Sequence, residues 1–171
     1  MIKKAIIIVL VVALSLGLSL FILPSEIHII RFVDISASPD RVWSQVSEAK
    51  KWNEWWEGSS NSEMIEWVDG ASLTITEADT KRRKVAYEVS ATDGKGSLTI
   101  DLSPEAMDDI SDNDKVSITW EHRYNVGYNP FDRLSHWLSR GQISLEIDEG
   151  LSRLKNNLEQ ETAGNNENGK K

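Results

Sequence analysis

The sequence predicts an α+β domain, an antiparallel sheet of short strands followed by one long amphipathic helix. Three observations carry this. Six strand-like apolar runs lie between Glu26 and Val126. Asp-Gly pairs separate consecutive strand-like runs. After Asn129-Pro130 the apolar period turns helical. Helices set apart from an antiparallel sheet define the class, and the inner face of that sheet is the surface on which the last helix can bury its stripe.

The chain opens differently. "MIKKAIIIVLVVALSLGLSLFILP" carries Lys3 and Lys4 and then no charge through Pro24. Ala5–Leu23 is 19 apolar or small residues in a row, which as a helix would span about 28 Å, close to the hydrocarbon thickness of a bilayer. A cleaved signal peptide has a shorter apolar core and a small-x-small site, of which Ser15-Leu16-Gly17 is a poor version. Residues 1–24 therefore predict an uncleaved membrane anchor, with Ile6, Val9, Val12, Leu16 and Leu20 among its apolar residues. The two lysines would stay on the cytoplasmic side. That makes the expected protein single-pass, its domain extracytoplasmic, and periplasmic in a Gram-negative cell.

The remaining residues hold 17 Lys+Arg against all 27 Asp+Glu, a net charge of −10 once Lys3 and Lys4 are set apart. A diffuse acidic surface argues against nucleic acid, whose phosphates select basic patches. The one basic run, Lys81-Arg82-Arg83-Lys84, reads as a hairpin turn. The absence of cysteine excludes disulfides, thiol nucleophiles, thiolate metal sites and a lipidated cysteine.

The elements follow in order. "EIHIIRFVDI" places Ile27, Ile29, Val33 and Ile35 on one face of a strand. "SASPDRVWSQV" then starts a helix: Ser38 suits the N-cap, Pro39 the first helical position and Asp40 the positive helix end. A second short helix or turn carries Trp52, Trp55 and Trp56 and ends at Gly58. The strand pair Glu63–Val68 and Ser72–Glu77 is joined by Asp69-Gly70, and the pair Lys84–Ala91 and Gly96–Ser103 by Asp93-Gly94. Pro104–Asp114 reads as an acidic loop. Lys115–Val126 is the last strand, with Val116, Ile118, Trp120, His122 and Tyr124 on one face. Leu134, Trp137, Leu138, Leu145, Ile147, Leu151, Leu154 and Leu158 mark the stripe of the closing helix, in which Gly141 and Gly150 could bend or break the chain. Residues 160–171 read as a disordered polar tail.

Taken together, "VDISASPDRVWSQVSEAKKWNEWW", "KVSITWEH", "NPFDRLSHWL" and "EIDEGLSRLKNNLE" resemble the SRPBCC superfamily, also called START-like, with its polyketide cyclase/dehydrase and pollen-allergen relatives. The resemblance runs from about Glu26 to Glu159. It implies a helix-grip fold over residues 25–159: a sheet of about six or seven strands wrapped on the last helix, with a cavity between them. Two stretches depart from the family pattern. Ser60–Glu77 is short of a Gly-rich hairpin, and Pro104–Asp114 is an acidic insert.

Aromatic residues at the spacing of Trp52, Trp55 and Trp56 read as core, with Trp56 set at the cavity rim. Tyr87, Trp120, His122, Tyr124 and Trp137 complete the candidate cavity lining. A histidine on an apolar face, such as His122, reads first as a hydrogen-bonded structural residue, since spacing places no carboxylate beside it. His28 and His136 stand further isolated. No spacing matches a metal site, a Gly-x-Ser-x-Gly elbow or a phosphate loop. No catalytic residue is assigned, and no cofactor or metal is expected. Three readings remain open: a membrane-tethered module binding a hydrophobic small molecule or lipid, a cyclase/dehydrase-like enzyme using His122 or Tyr124 as acid or base, and an envelope interaction domain whose cavity is filled.

Overall fold

The structure is a computed structural model that describes residues 2–58, 60–61, 64–67, 70–103 and 115–168. An N-terminal helix α1 (Ile2–Ser19) leads through a 3-10 turn (Leu20–Ile22) into strand β1 (Glu26–Ser36). Helix α2 (Pro39–Ser47) and a 3-10 helix (Ala49–Glu54) follow. Strands β2 (Met64–Glu66), β3 (Ser72–Asp79), β4 (Lys84–Ala91), β5 (Gly94–Ser103) and β6 (Lys115–Asn125) precede the long helix α3 (Pro130–Asn168). The six strands form one antiparallel sheet in the order β1-β6-β5-β4-β3-β2, so the first and last strands of the chain pair directly. This is the helix-grip arrangement.

The predicted anchor is overturned, and with it the single-pass, extracytoplasmic localisation. Among the described residues no helix is long and apolar enough to cross a membrane. The apolar run is not one helix: α1 ends at Ser19 and the chain tightens into the 3-10 turn. Its helical part, Ala5–Ser19, spans about 22 Å against a hydrocarbon core of about 30 Å. Ile6, Val9 and Val12 are exposed along α1, and the side chains of Leu16 and Leu20 lie outside the described residues.

Local chemistry accounts for most boundaries. Pro39 occupies the first turn of α2 behind Ser38, which contributes its backbone carbonyl to Arg41 and Val42 rather than a side-chain cap. The basic run does form the β3–β4 turn: Asp79 accepts from the backbone N–H groups of Lys81 and Arg82, and Arg83 takes a positive φ of 51°. At the next hairpin the turn is Thr92-Asp93 rather than Asp93-Gly94, and Gly94 already pairs with Ala91 in the ladder. A Cβ on Gly94 would sit 2.8 Å from the Tyr124 hydroxyl, so this glycine serves close approach to β6. The first expected hairpin keeps Gly70 at φ 83° in its turn, while Asp69 and the acidic loop Pro104–Asp114 lie outside the described residues.

Helix α3 passes Gly141 and Gly150 without a break and continues to Asn168, across most of the stretch expected to be a tail. Propagating a formed helix costs far less than starting one. Asn129 caps its start, its side-chain oxygen accepting from Phe131 N–H at 3.1 Å. From the edge strand β1, Arg31 reaches Asp148 at 2.7 Å and also donates to Ser144, and the backbone N–H of Ser36 donates to Glu159 at 2.9 Å.

The core lies between the concave face of the sheet and α3. Alternate residues of β6, Val116 through Tyr124, are all buried, as are Ile147, Leu151, Leu154 and Leu158 of α3. Between them sits a tryptophan cluster in which Trp52 contacts Trp55, Tyr87 and Trp120, at ring-centroid distances of 4.5, 5.3 and 5.7 Å. Trp56 stacks on Trp120 at 5.7 Å. The stripe read from sequence is only half right. Trp137, Leu138 and Leu145 face outward, with Trp137 51% exposed.

Candidate functional site

The tryptophan cluster meets α3 at Gly150, beside the buried Ile147–Leu158 stripe, and the space under the first half of the helix is open. That open end is a cavity of about 410 Å³. Its floor comes from β4 and β6 and the Thr92-Asp93 turn, its roof from α3 between Ser135 and Glu146, and one flank from Trp67 and Ala71 beside the β2–β3 turn. Val89, Ala91 and Ile143 add apolar surface.

An aromatic row leads from the core into this cavity. Trp67 lies 5.4 Å from His122, His122 stacks with Tyr124 at 6.4 Å, and Tyr124 stacks with His136 at 5.1 Å. Period-two alternation along β6 brings His122 and Tyr124 to the same face. Asp93, on the hairpin turn, closes the row. It accepts a hydrogen bond from the Tyr124 hydroxyl at 2.6 Å and meets His136 Nε2 at 2.5 Å. Burial pushes the Asp93 carboxyl up, but the hydrogen bonds from Tyr124 and His136, with the charge of His136 where protonated, outweigh it. The carboxyl is held below the usual carboxylate range.

A lowered native value contributes stability above the unfolded carboxylate range that is lost as pH falls through the native value. Chemical denaturation at pH 7 and again below the carboxylate range is therefore expected to show a larger loss in the native chain than in Asp93→Asn. Equal losses in the two proteins would remove Asp93 from the acid response.

On the opposite wall, Glu146 accepts from Trp67 Nε1 at 3.2 Å and from Gln142 Nε2 at 3.2 Å. Both donors are neutral.

The residues picked out by sequence are distributed unevenly. His122 and Tyr124 line the cavity. Trp120 and Tyr87 are sealed in the core, where the Tyr87 hydroxyl donates to Val46 O and burial pushes its ionisation upward. Trp56 is buried too. It closes against Gly150 and is not a rim residue, because the helix backbone is bare at that point. Trp137 points away from the cavity.

Sequence reasoning passed over Asp93, His136, Glu146 and Trp67. Asp93 read as a turn residue and His136 as isolated, since 43 positions separate them. A signal for His136 exists: counting back from Ile147, Leu151, Leu154 and Leu158 at helical period gives Ile143, Ser139 and His136, all cavity residues.

With this geometry in view, the family model for polyketide cyclase / dehydrase and lipid transport matches residues 26–159. The chain belongs to that family. No curated protein matches the sequence. Among solved structures, the di-domain ARO/CYC BexL from the BE-7585A biosynthetic pathway is similar at 18% identity and a TM-score of 0.59, over 78% of this chain. This polyketide cyclase / dehydrase family domain spans 46% of that di-domain chain. A protein of Nitrosospira multiformis is similar at 11% identity and TM-score 0.58, covering 80% of this chain and 99% of its own. A Thalictrum norcoclaurine synthase point mutant in complex with a transition-state analogue matches at 14% identity and TM-score 0.51, over 75% and 94% of the two chains. At these identities the likeness is one of fold.

Proposed function

We propose that this domain binds a hydrophobic small molecule or lipid in the cavity between the sheet and the first half of α3. The observation that carries the reading is the cavity itself. At about 410 Å³ it falls in the size range of small-molecule sites, and it combines apolar walls with a few convergent polar groups. An open space of this size runs against the reading in which side chains fill the cavity.

Native mass spectrometry of the full chain, purified gently from its own host, tests the proposal. A stoichiometric hydrophobic compound supports it; an empty protein that also takes up no hydrophobic dye defeats it. A cavity-filling variant sharpens the test. Ala91→Trp is expected to weaken dye binding about tenfold or more, with the far-ultraviolet circular dichroism of the native chain retained. Undiminished dye binding in that variant would place the dye elsewhere.

One observation favours a second reading, acid–base catalysis on the bound molecule. A phenol, a carboxylate and an imidazole (Tyr124, Asp93 and His136) form a hydrogen-bonded chain on the cavity wall. Product formed from a bound carbonyl compound and lost in Asp93→Asn would mark catalysis; a compound recovered unchanged marks carriage.

A further inference from the structure

The charges around the cavity point to a ligand class. Two carboxylates line it, Asp93 and Glu146, and among the described lining residues there is no Lys or Arg. The carboxylates differ in how they are answered. Asp93 has His136 at 2.5 Å. Glu146 has only the neutral N–H donors of Trp67 and Gln142, and among the described residues it makes no ion pair. Its acidic neighbours on α3 are provided for: Asp148 pairs with Arg31 at 2.7 Å, Glu149 with Arg153 at 3.5 Å and Glu159 with Lys155 at 3.9 Å. Arg153, the cation nearest in sequence on the C-terminal side of Glu146, is taken by Glu57 and Glu149. A partly buried carboxylate facing an aromatic-walled cavity thus has no ion-pair partner among the described residues.

We propose that the cavity takes an organic cation: an aromatic or alicyclic molecule bearing a protonated amine, whose ammonium binds the Glu146 carboxylate. The Trp67 indole N–H donates to that same carboxylate at 3.2 Å and holds it in place as a fixed anion at the cavity. The apolar body of the ligand lies against Val89, Ala91 and Ile143. An anionic ligand would meet two carboxylates and lose its hydration without a lysine or arginine among the described lining residues to replace it. This inference rests on the cavity-binding reading above and narrows it.

Three probes sharing one ring system test it on the full chain by calorimetry: naphthylethylamine, naphthylethanol and naphthylacetate. The amine is expected to bind about tenfold more tightly than the alcohol, and the carboxylate least tightly. Rising ionic strength should weaken the amine more than the alcohol. In Glu146→Gln the ratio of amine to alcohol affinity should fall to about one; the salt series on the native chain stands in should that variant fold poorly. Equal affinities for the three probes, or a preference for the carboxylate, would overturn the cation assignment and leave the cavity reading standing. Binding of none of them would overturn both.

Discussion

Trp52→Ala is expected to cost about 3–5 kcal/mol, the range for truncating a large buried aromatic side chain. Trp52 has no exposed surface, its ring meets those of Trp55, Trp56, Tyr87 and Trp120, and its Nε1–H donates to Val46 O at 3.3 Å. Removing the indole opens a void bordered by four other rings, Trp55 and Trp56 just after the same 3-10 helix, Tyr87 on β4 and Trp120 on β6, so collapse into it is limited. Against a total stability of about 5–15 kcal/mol, such a loss leaves a marginal protein. Urea denaturation monitored by circular dichroism provides the measurement. A loss below about 1 kcal/mol, the level of ordinary surface changes, would mean that the cluster is not the stabilising centre of the fold.

The second large effect concerns a glycine. In an exposed helix interior, Gly→Ala gains about 0.5–1 kcal/mol. At Gly150 a Cβ would stand 2.6 Å from Cε3 of Trp56 and closer still to Cζ3, and that ring is buried against Trp120 and Trp67 with nowhere to retreat. Overpacking of this kind costs about 1–3 kcal/mol, so the propensity gain is outweighed and Gly150→Ala destabilises. Gly141 supplies the comparison: it lies in the same helix with nothing within 4 Å of its would-be Cβ, and there the substitution should raise the melting temperature. Shifts of the same sign at both positions would contradict the packing of Trp56 on α3.

These two glycines also show what the sequence could convey. Both read as breaks in a helical pattern, yet neither breaks it, because Asn129 caps α3 and the Ile147–Leu158 stripe holds it to the sheet. The strands were most legible where they alternate cleanly and bury one face: β4 buries Val85, Tyr87 and Val89, and β6 delivers five buried residues in order, from Val116 to Tyr124, whereas β3 shifts register between Ile75 and Glu77. Trp137 was misplaced because size and hydrophobicity were read without the phase of the helix. The partnership of Asp93 with Tyr124 and His136 was not legible at all. It is made by tertiary folding, across 31 and 43 positions, and local sequence pattern has no access to such distances. The apolar N-terminal run misled for a different reason. Composition gives the length of an apolar stretch but does not show where its helix stops, and α1 stops at Ser19.

Helix α3 has a division of labour along its length. From Ile147 to Leu158 it is held to the core, with Trp56 closed against Gly150, whereas between Ser135 and Glu146 it roofs a space that contributes little to the core. Substitutions under that roof remove few of the contacts on which folding depends. The recognition chemistry of such a domain is therefore free to diverge while its architecture is retained. Solved structures that share 11–18% of their residues with the chain have the same fold.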